Sequence, residues 1–184
     1  MKKNENSIEN TVEVVITPPE QYGAQLAYNI RARTTQGVFI QLIAQANNHI
    51  VIASPFMQTN YGYNESPIKT ALIGALDRNV RLDIITTGEG IGILKKGWPD
   101  LIEKKNAYLF QPKPNIDDEK YLGSHAKCLI SDRYIAYIGS ANFTHPGLAG
   151  NLELGLLVEG YSATQIASFW EYLIDIKFII EISK

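Results

Sequence analysis

A chain of 184 residues has room for one hydrophobic core of ordinary size, and 45% hydrophobic with 20% charged residues excludes a disordered or fibrous chain. A formal charge of −2 and a pI near 5.9 weigh against the broadly basic surface of a charge-driven nucleic-acid binder. The single cysteine, Cys128, cannot form an internal disulfide and is expected in the core. No apolar run follows Met1-Lys2-Lys3 and no run of about 20 apolar residues occurs, so neither a secretory signal nor a membrane span is expected; the cytoplasm is the expected compartment.

In chain order, residues 1–10 are polar and read as a tail, and Val12 to Ile16 as a short edge strand ending at Pro18-Pro19. Residues 1–19 are thus expected to be a tail or edge strand ahead of one domain spanning 20–184. Gln21 to Arg33 and Gln36 to Ala46 read as helices, the second with Val38, Leu42, Ile43 and Ala46 on one face. His49 is expected at the surface, at the start of a strand over Ile50 to Ala53. Tyr61 to Glu65 follows as a loop; Tyr61 and Tyr63 are candidates for stacking on bases, although surface tyrosines are common. Pro67 opens a helix through Leu76, and Arg81 to Thr86 alternates as a strand. Gly88 to Gly92 reads as a turn into a helix reaching Lys105, broken near Gly97-Trp98-Pro99; no Gly-Lys-Ser/Thr follows, so it is no phosphate loop. Ala107 to Phe110 is a strand and Asn115 to Lys120 an acidic loop. Leu152 to Val158 is the last strand expected, and Thr164 to Ile180 a closing helix. The alternation predicts an α/β fold. Lys95-Lys96, Lys104-Lys105, Lys113, Lys120, Arg78 and Arg81 read either as a solvated mixed-charge face or as a track for a nucleic-acid backbone.

Between these elements lies the most informative run, His125-Ala126-Lys127, Asp132, then Gly139-Ser140-Ala141-Asn142. The apolar runs Cys128 to Ile130 and Tyr134 to Ile138 make a hairpin around Ser131-Asp132-Arg133. Strand alternation puts His125 and Lys127 on one face, and the returning strand brings Gly139, Ser140 and Asn142 back beside them. Gly139 lets backbone approach a ligand closely. An imidazole, an ammonium, a hydroxyl and an amide suit a tetrahedral phosphoryl group: Lys127, Ser140 and Asn142 hold its oxygens while His125 attacks phosphorus. A turn aspartate such as Asp132 is expected to accept backbone N–H groups rather than take part in the chemistry. Glu153, on an apolar strand, needs a partner, and a histidine Nδ1, of this subunit or of the other, is the expected one. His145 reads as a loop residue with substrate contact as the alternative.

The run H-x-K-(x)4-D-(x)6-G-S-x-N resembles the HKD motif of the phospholipase D superfamily. Asn47 to Phe56 resembles the family's first strand with its S-P-Y/F ending, and Asn151-Leu152-Glu153 its N-x-E strand, so the resemblance covers roughly residues 35 to 180. It implies a mixed β-sheet flanked by helices on both faces. It also implies a phosphohistidine phosphodiesterase with lysines in place of a metal and no cofactor, in which Asp132 and Gly139 are structural supports. The best-known members carry two motifs facing each other; His49 and His145 have no lysine two residues later, so this chain has one. The family's small members form a homodimer with one shared site, which the chemistry requires, because nucleophile and general acid stand on opposite sides of the phosphate. Those small members are nucleases, restriction enzymes and defence-associated proteins, so nucleic acid is the expected substrate, with other defence-system subunits as partners. A phospholipase or phosphatidyl transferase, and a non-catalytic nucleic-acid-binding subunit, stay open. An apolar membrane-facing rim would distinguish the first, and DNA affinity without turnover the second.

Overall fold

The computed structural model describes residues 10–60, 66–113 and 124–182. The chain begins with strand β1 (Thr11–Thr17), a single tight helical turn (Glu20–Tyr22) and helix α1 (Gly23–Ile30). The two-residue strand β2 (Arg33–Thr34) leads into α2 (Thr35–Gln45), where the Thr34 hydroxyl accepts from Gly37 N at 3.3 Å and starts the helix. Then come β3 (His49–Ala53), α3 (Pro67–Asp77) and β4 (Arg81–Ile85). Ser66 caps α3 and Pro67 occupies its first turn, where a missing N–H costs nothing. After them come α4 (Gly88–Gly97), α5 (Pro99–Ile102) and β5 (Ala107–Pro112). The hairpin β6 (Cys128–Ser131) and β7 (Ile135–Gly139) is followed by one π-helical turn (Pro146–Gly150), β8 (Glu153–Glu159), α6 (Tyr161–Asp175) and β9 (Ile179–Ile182).

The strands form one nine-stranded sheet in the order β2-β1-β8-β7-β6-β3-β4-β5-β9. β3, β4 and β5 are parallel, and β3–β6, β6–β7, β7–β8, β8–β1 and β5–β9 are antiparallel, so the sheet is mixed. On one face Leu42, Leu72, Leu94 and Leu101 from α2, α3, α4 and α5 join Ile52, Ile84 and Leu129 of the strands. On the other, Ala163, Ala167 and Trp170 of α6 cover Val51, Ile85, Phe110 and Ile130. The mixed sheet with helices on both faces is the expected one. Cys128 is buried there, with the Trp170 indole N–H donating to its Sγ at 3.1 Å; burial pushes the thiol up to about 12.

Several local expectations are corrected. The helix expected over Gln21 to Arg33 ends at Ile30, where Arg31 turns left-handed with φ 50°, and Arg33 starts β2. β1 is not the edge: β2 pairs outside it through Val15 and Ile16. Gly88 to Gly92 is helix rather than turn, because the Thr87 hydroxyl accepts from Gly90 N at 3.2 Å and opens α4 there. That helix stops at Gly97, and α5 ends at Ile102 short of Lys105. The closing helix stops at Asp175: Lys177 adopts φ 61°, the chain reverses, and Ile179–Ile182 adds a strand against β5. His49 is half-buried rather than at the surface, with Nε2 2.9 Å from Oδ2 of the buried Asp83, whose Oδ1 accepts from Arg81 Nε at 2.8 Å. Asn115 to Lys120 and Tyr61 to Glu65, with Tyr61 and Tyr63, lie outside the described residues.

Candidate active site

Antiparallel pairing of β6, β7 and β8 sets the geometry. Cys128 opposes Ile138 and Gly139 opposes Gly155, so the start of β6, the end of β7 and the start of β8 meet at one edge of the sheet. β3 and β4 also present their C-terminal ends there: Ala53 pairs with Cys128 and with Ile85. Ligands of α/β folds gather at such ends.

His125 and Lys127 were expected on a strand; they lie instead in the irregular lead-in 124–127, immediately before β6. The Lys127 carbonyl still accepts from Gly139 N at 3.3 Å, so the lead-in stays beside β7. His125 is exposed and Lys127 half-buried. The Lys127 ammonium donates to the His125 carbonyl at 2.8 Å and lies 3.1 Å from Nδ1 of the ring. It lies almost as close to the other ring nitrogen, Nε2, at 3.3 Å. Burial lowers the Lys127 pKa, and the nearby Glu153 carboxylate partly opposes that shift.

Glu153 opens β8. The Ser140 hydroxyl donates to its Oε2, and Asn151 Nδ2 donates to its Oε1 at 3.2 Å. Within this chain its partners are a serine and an asparagine. Leu154 N donates to Ser140 Oγ at 3.1 Å, fixing the hydroxyl from both sides. Asn142 is half-buried, and its Oδ1 is buried without a hydrogen-bond partner. His145 is exposed in the following loop, where its backbone N–H donates to Gln58 Oε1 at 3.0 Å.

Gly139 makes room on the sheet for a neighbouring side chain. A Cβ there would come 2.5 Å from the Tyr137 hydroxyl and 2.6 Å from the Gly155 Cα; one on Gly155 would come 2.6 Å from the same hydroxyl. The two opposed glycines make room for the fully buried Tyr137 ring, which packs edge-on against Phe39 at 4.9 Å. Asp132 has φ 51°, and its carboxylate accepts the backbone N–H groups of Asn47, Asn48 and His49 at 2.8, 2.8 and 2.9 Å. Burial raises its pKa, but these backbone donors outweigh burial and hold the carboxyl below the usual range.

The sequence did not single out Ser54 or Phe56 as site residues. Ser54 Oγ donates to the Phe56 carbonyl at 2.7 Å and accepts from Phe143 N at 3.0 Å, stapling the loop after β3 to the segment carrying Asn142. Phe56 stands 6.4 Å from the His125 ring, centroid to centroid and edge-on. Its S-P-F setting was the available signal. Three residues of the expected basic track are engaged elsewhere: Arg78 donates to the carbonyls of Ile43, Ala44 and Ala46, Arg81 pairs with Asp83, and Lys104 with Asp77. Lys120 lies outside the described residues. Among the described residues, no helix is long and apolar enough to cross a membrane.

The family profile described as "Cardiolipin synthase, PLD-like domain" matches residues 39–173. The DISARM protein DrmC of Bacillus paralicheniformis is 27% identical over 159 residues, covering 83% of this chain and 58% of that protein. The chain therefore spans less than two thirds of that relative. Among solved structures, NucT from Helicobacter pylori superposes with a TM-score of 0.66 at 18% identity, covering 92% of this chain and 98% of that one. Nuc from Salmonella typhimurium, a phospholipase D family member, gives 0.64 at 19%, covering 96% and 100%. The phosphatidylserine synthase of Haemophilus influenzae gives 0.66 at 12%, covering 94% of this chain but 40% of its own. At these identities the structural likeness speaks to the fold.

Proposed function

We propose, from the premise that this chain belongs to the phospholipase D-like domain family, that it is a phosphodiesterase that cleaves nucleic acid from a shared site between two copies. The observation that carries the proposal is the Lys127 ammonium against the His125 ring, with Ser140 and Glu153 on the adjoining strand ends. His125 donates a ring lone pair to phosphorus, and the bond to the leaving oxygen breaks as His125 of the partner subunit protonates that oxygen. The same partner histidine, now neutral, takes a proton from water. The water oxygen bonds to phosphorus, the P–N bond breaks, and both imidazoles return to their starting forms. Lys127 and the Asn142 amide supply the positive charge and donors that the phosphoryl oxygens need, without a metal, and Ser140 joins them when its one hydroxyl proton turns from Glu153 to the phosphate.

An uncovered apolar stripe supports the second copy. Leu154 is 63% exposed and Val12 58%; with Leu152 just before β8, Leu156 and Val14 they form a stripe that starts beside Ser140 and Glu153 and runs along β8 and β1 away from them. Adjacent exposed apolar strands that adjoin half a catalytic centre fit a self-complementary interface. The likeness to the DISARM protein DrmC supports a role in defence against foreign DNA.

The test is incubation with labelled single- and double-stranded DNA, RNA and phosphatidylcholine, with EDTA throughout. Cleavage of nucleic acid that survives EDTA and is lost in His125→Ala is the expected result, with sedimentation at about twice the 20.5 kDa chain mass. Robust activity in His125→Ala overturns the mechanism. Cleavage of the lipid alone transfers the assignment to a phospholipase, the alternative that the family profile's description favours.

A further inference from the structure

Phe56 is held in an unusual way for a half-exposed aromatic. Its neighbours are fixed on both sides: the Pro55 carbonyl accepts the Thr87 hydroxyl at 3.0 Å, and the Phe56 carbonyl accepts the Ser54 hydroxyl at 2.7 Å. Gln58 N donates to the Phe143 carbonyl at 3.1 Å, and Met57, next in the chain, is buried. The backbone is pinned, yet the Phe56 side chain remains 44% exposed, and it is directed at the His125 ring. A lone exposed phenylalanine is ordinary; a rigidly mounted one in edge contact with the nucleophile is a surface prepared for something flat.

Beside it lies a cleft of about 90 Å³ lined by Pro55, Phe56, Met57, Thr87, Glu89 and Ile93. Its walls mix apolar side chains with polar groups, and Glu89, in the first turn of α4, is the charged residue that lines it. A carboxylate there repels a phosphate, and it is a poor neighbour for an acyl chain. It does suit an occupant with an aromatic face and an N–H edge, since an ionised carboxylate only accepts.

We infer that Phe56 and this cleft form a base subsite. The nucleobase flanking the scissile phosphate stacks on the Phe56 ring with its N–H edge toward Glu89, so the base is unpaired when cut. The inference rests on the nuclease proposal and deepens it by naming what is recognised besides the phosphate.

The test compares an oligocytidylate DNA strand with a strand of equal length built wholly of abasic units, which keeps the phosphates and removes the bases. In the wild type KM should be about 5- to 100-fold lower for the base-bearing strand, the range that one stacked base commands. In Phe56→Ala and Phe56→Leu that ratio should collapse toward one, and Phe56→Trp should restore it; the half-exposed position tolerates all three. A wild-type ratio near one, or a ratio that Phe56→Ala leaves intact, overturns the inference while leaving the nuclease proposal standing. Hydrolysis of phosphatidylcholine with neither strand cleaved overturns both. If neither strand nor lipid turns over, fluorescence anisotropy of the two labelled strands reads the same ratio as affinities, and the same outcomes decide.

Discussion

Replacing Asp132 with alanine should destabilise the fold by about 2–4 kcal/mol without touching the chemistry directly. The magnitude follows from the contacts. The carboxylate accepts three backbone N–H groups, those of Asn47, Asn48 and His49, and each such bond is worth about 1 kcal/mol net at a half-exposed position where water can partly substitute. Asp132 also adopts φ 51°, a left-handed conformation that costs alanine about 1 kcal/mol and aspartate or asparagine less. Asp132→Asn, which keeps the conformation and one acceptor oxygen, should lose about 1–2 kcal/mol. Urea unfolding followed by tryptophan fluorescence measures both. The pH dependence adds an independent check. The folded carboxyl is held below its usual range, so its contribution is fully present above the unfolded value of about 3.9 and is lost as pH falls through the lower folded value. The gap between wild type and Asp132→Ala should therefore close in acid. A loss below about 1 kcal/mol at neutral pH would refute the account of how the loop before β3 is tied to the hairpin.

Three further outcomes are expected. Cys128, with its thiol pushed up to about 12 by burial, should not react with Ellman's reagent in the native protein and should react fully in denaturant; fast native labelling would contradict its burial. Gly155→Ala places a Cβ against Tyr137 and should cost about 1–3 kcal/mol by overpacking, seen as a lower Tm, with a fall in turnover as the Ser140 strand shifts. Burial lowers the Lys127 pKa; because the ammonium is the useful form, kcat should fall as pH rises, at a pH below the ordinary lysine value of about 10.4, and an alkaline limb absent from Lys127→Arg would mark it as the lysine's.

The sequence made the alternation of strands and helices readable because β3, β4, α2 and α3 are bounded by strong local signals. Ser66-Pro67 opens one helix at a cap, and Ile50 to Ala53 is a short apolar run typical of a strand buried on both faces. β9 escaped because Leu173, Ile176 and Ile180 fall at the i, i+3, i+7 spacing that continues an apolar helix; only the left-handed turn at Lys177 decides, and lysine does not announce it. The Gly88 to Gly92 segment escaped for the opposite reason: glycine weakens a helix, but the Thr87 cap outweighed it. At the site, the spacing of His125, Lys127 and Ser140 was legible as chemistry because these groups interrupt apolar runs. What Gly139 makes room for was not, because its neighbour Gly155 comes from a strand paired across the sheet.

The sheet order also dictates when the protein can fold. β1 is made first and pairs with β8, which is made almost last; Thr11 and Glu159 are bonded across 148 intervening steps of chain. During synthesis the parallel β3-β4-β5 unit can assemble from neighbouring segments, while Val12 and Val14, which β2 does not reach, wait for β8. Long-range pairing of this kind is slow and leaves sticky strands exposed. The same docking of β8 that rescues β1 delivers Glu153 to Ser140. An incompletely made chain thus lacks the carboxylate that holds the serine, and the longest-range pairing of the sheet is also the one that completes the candidate site.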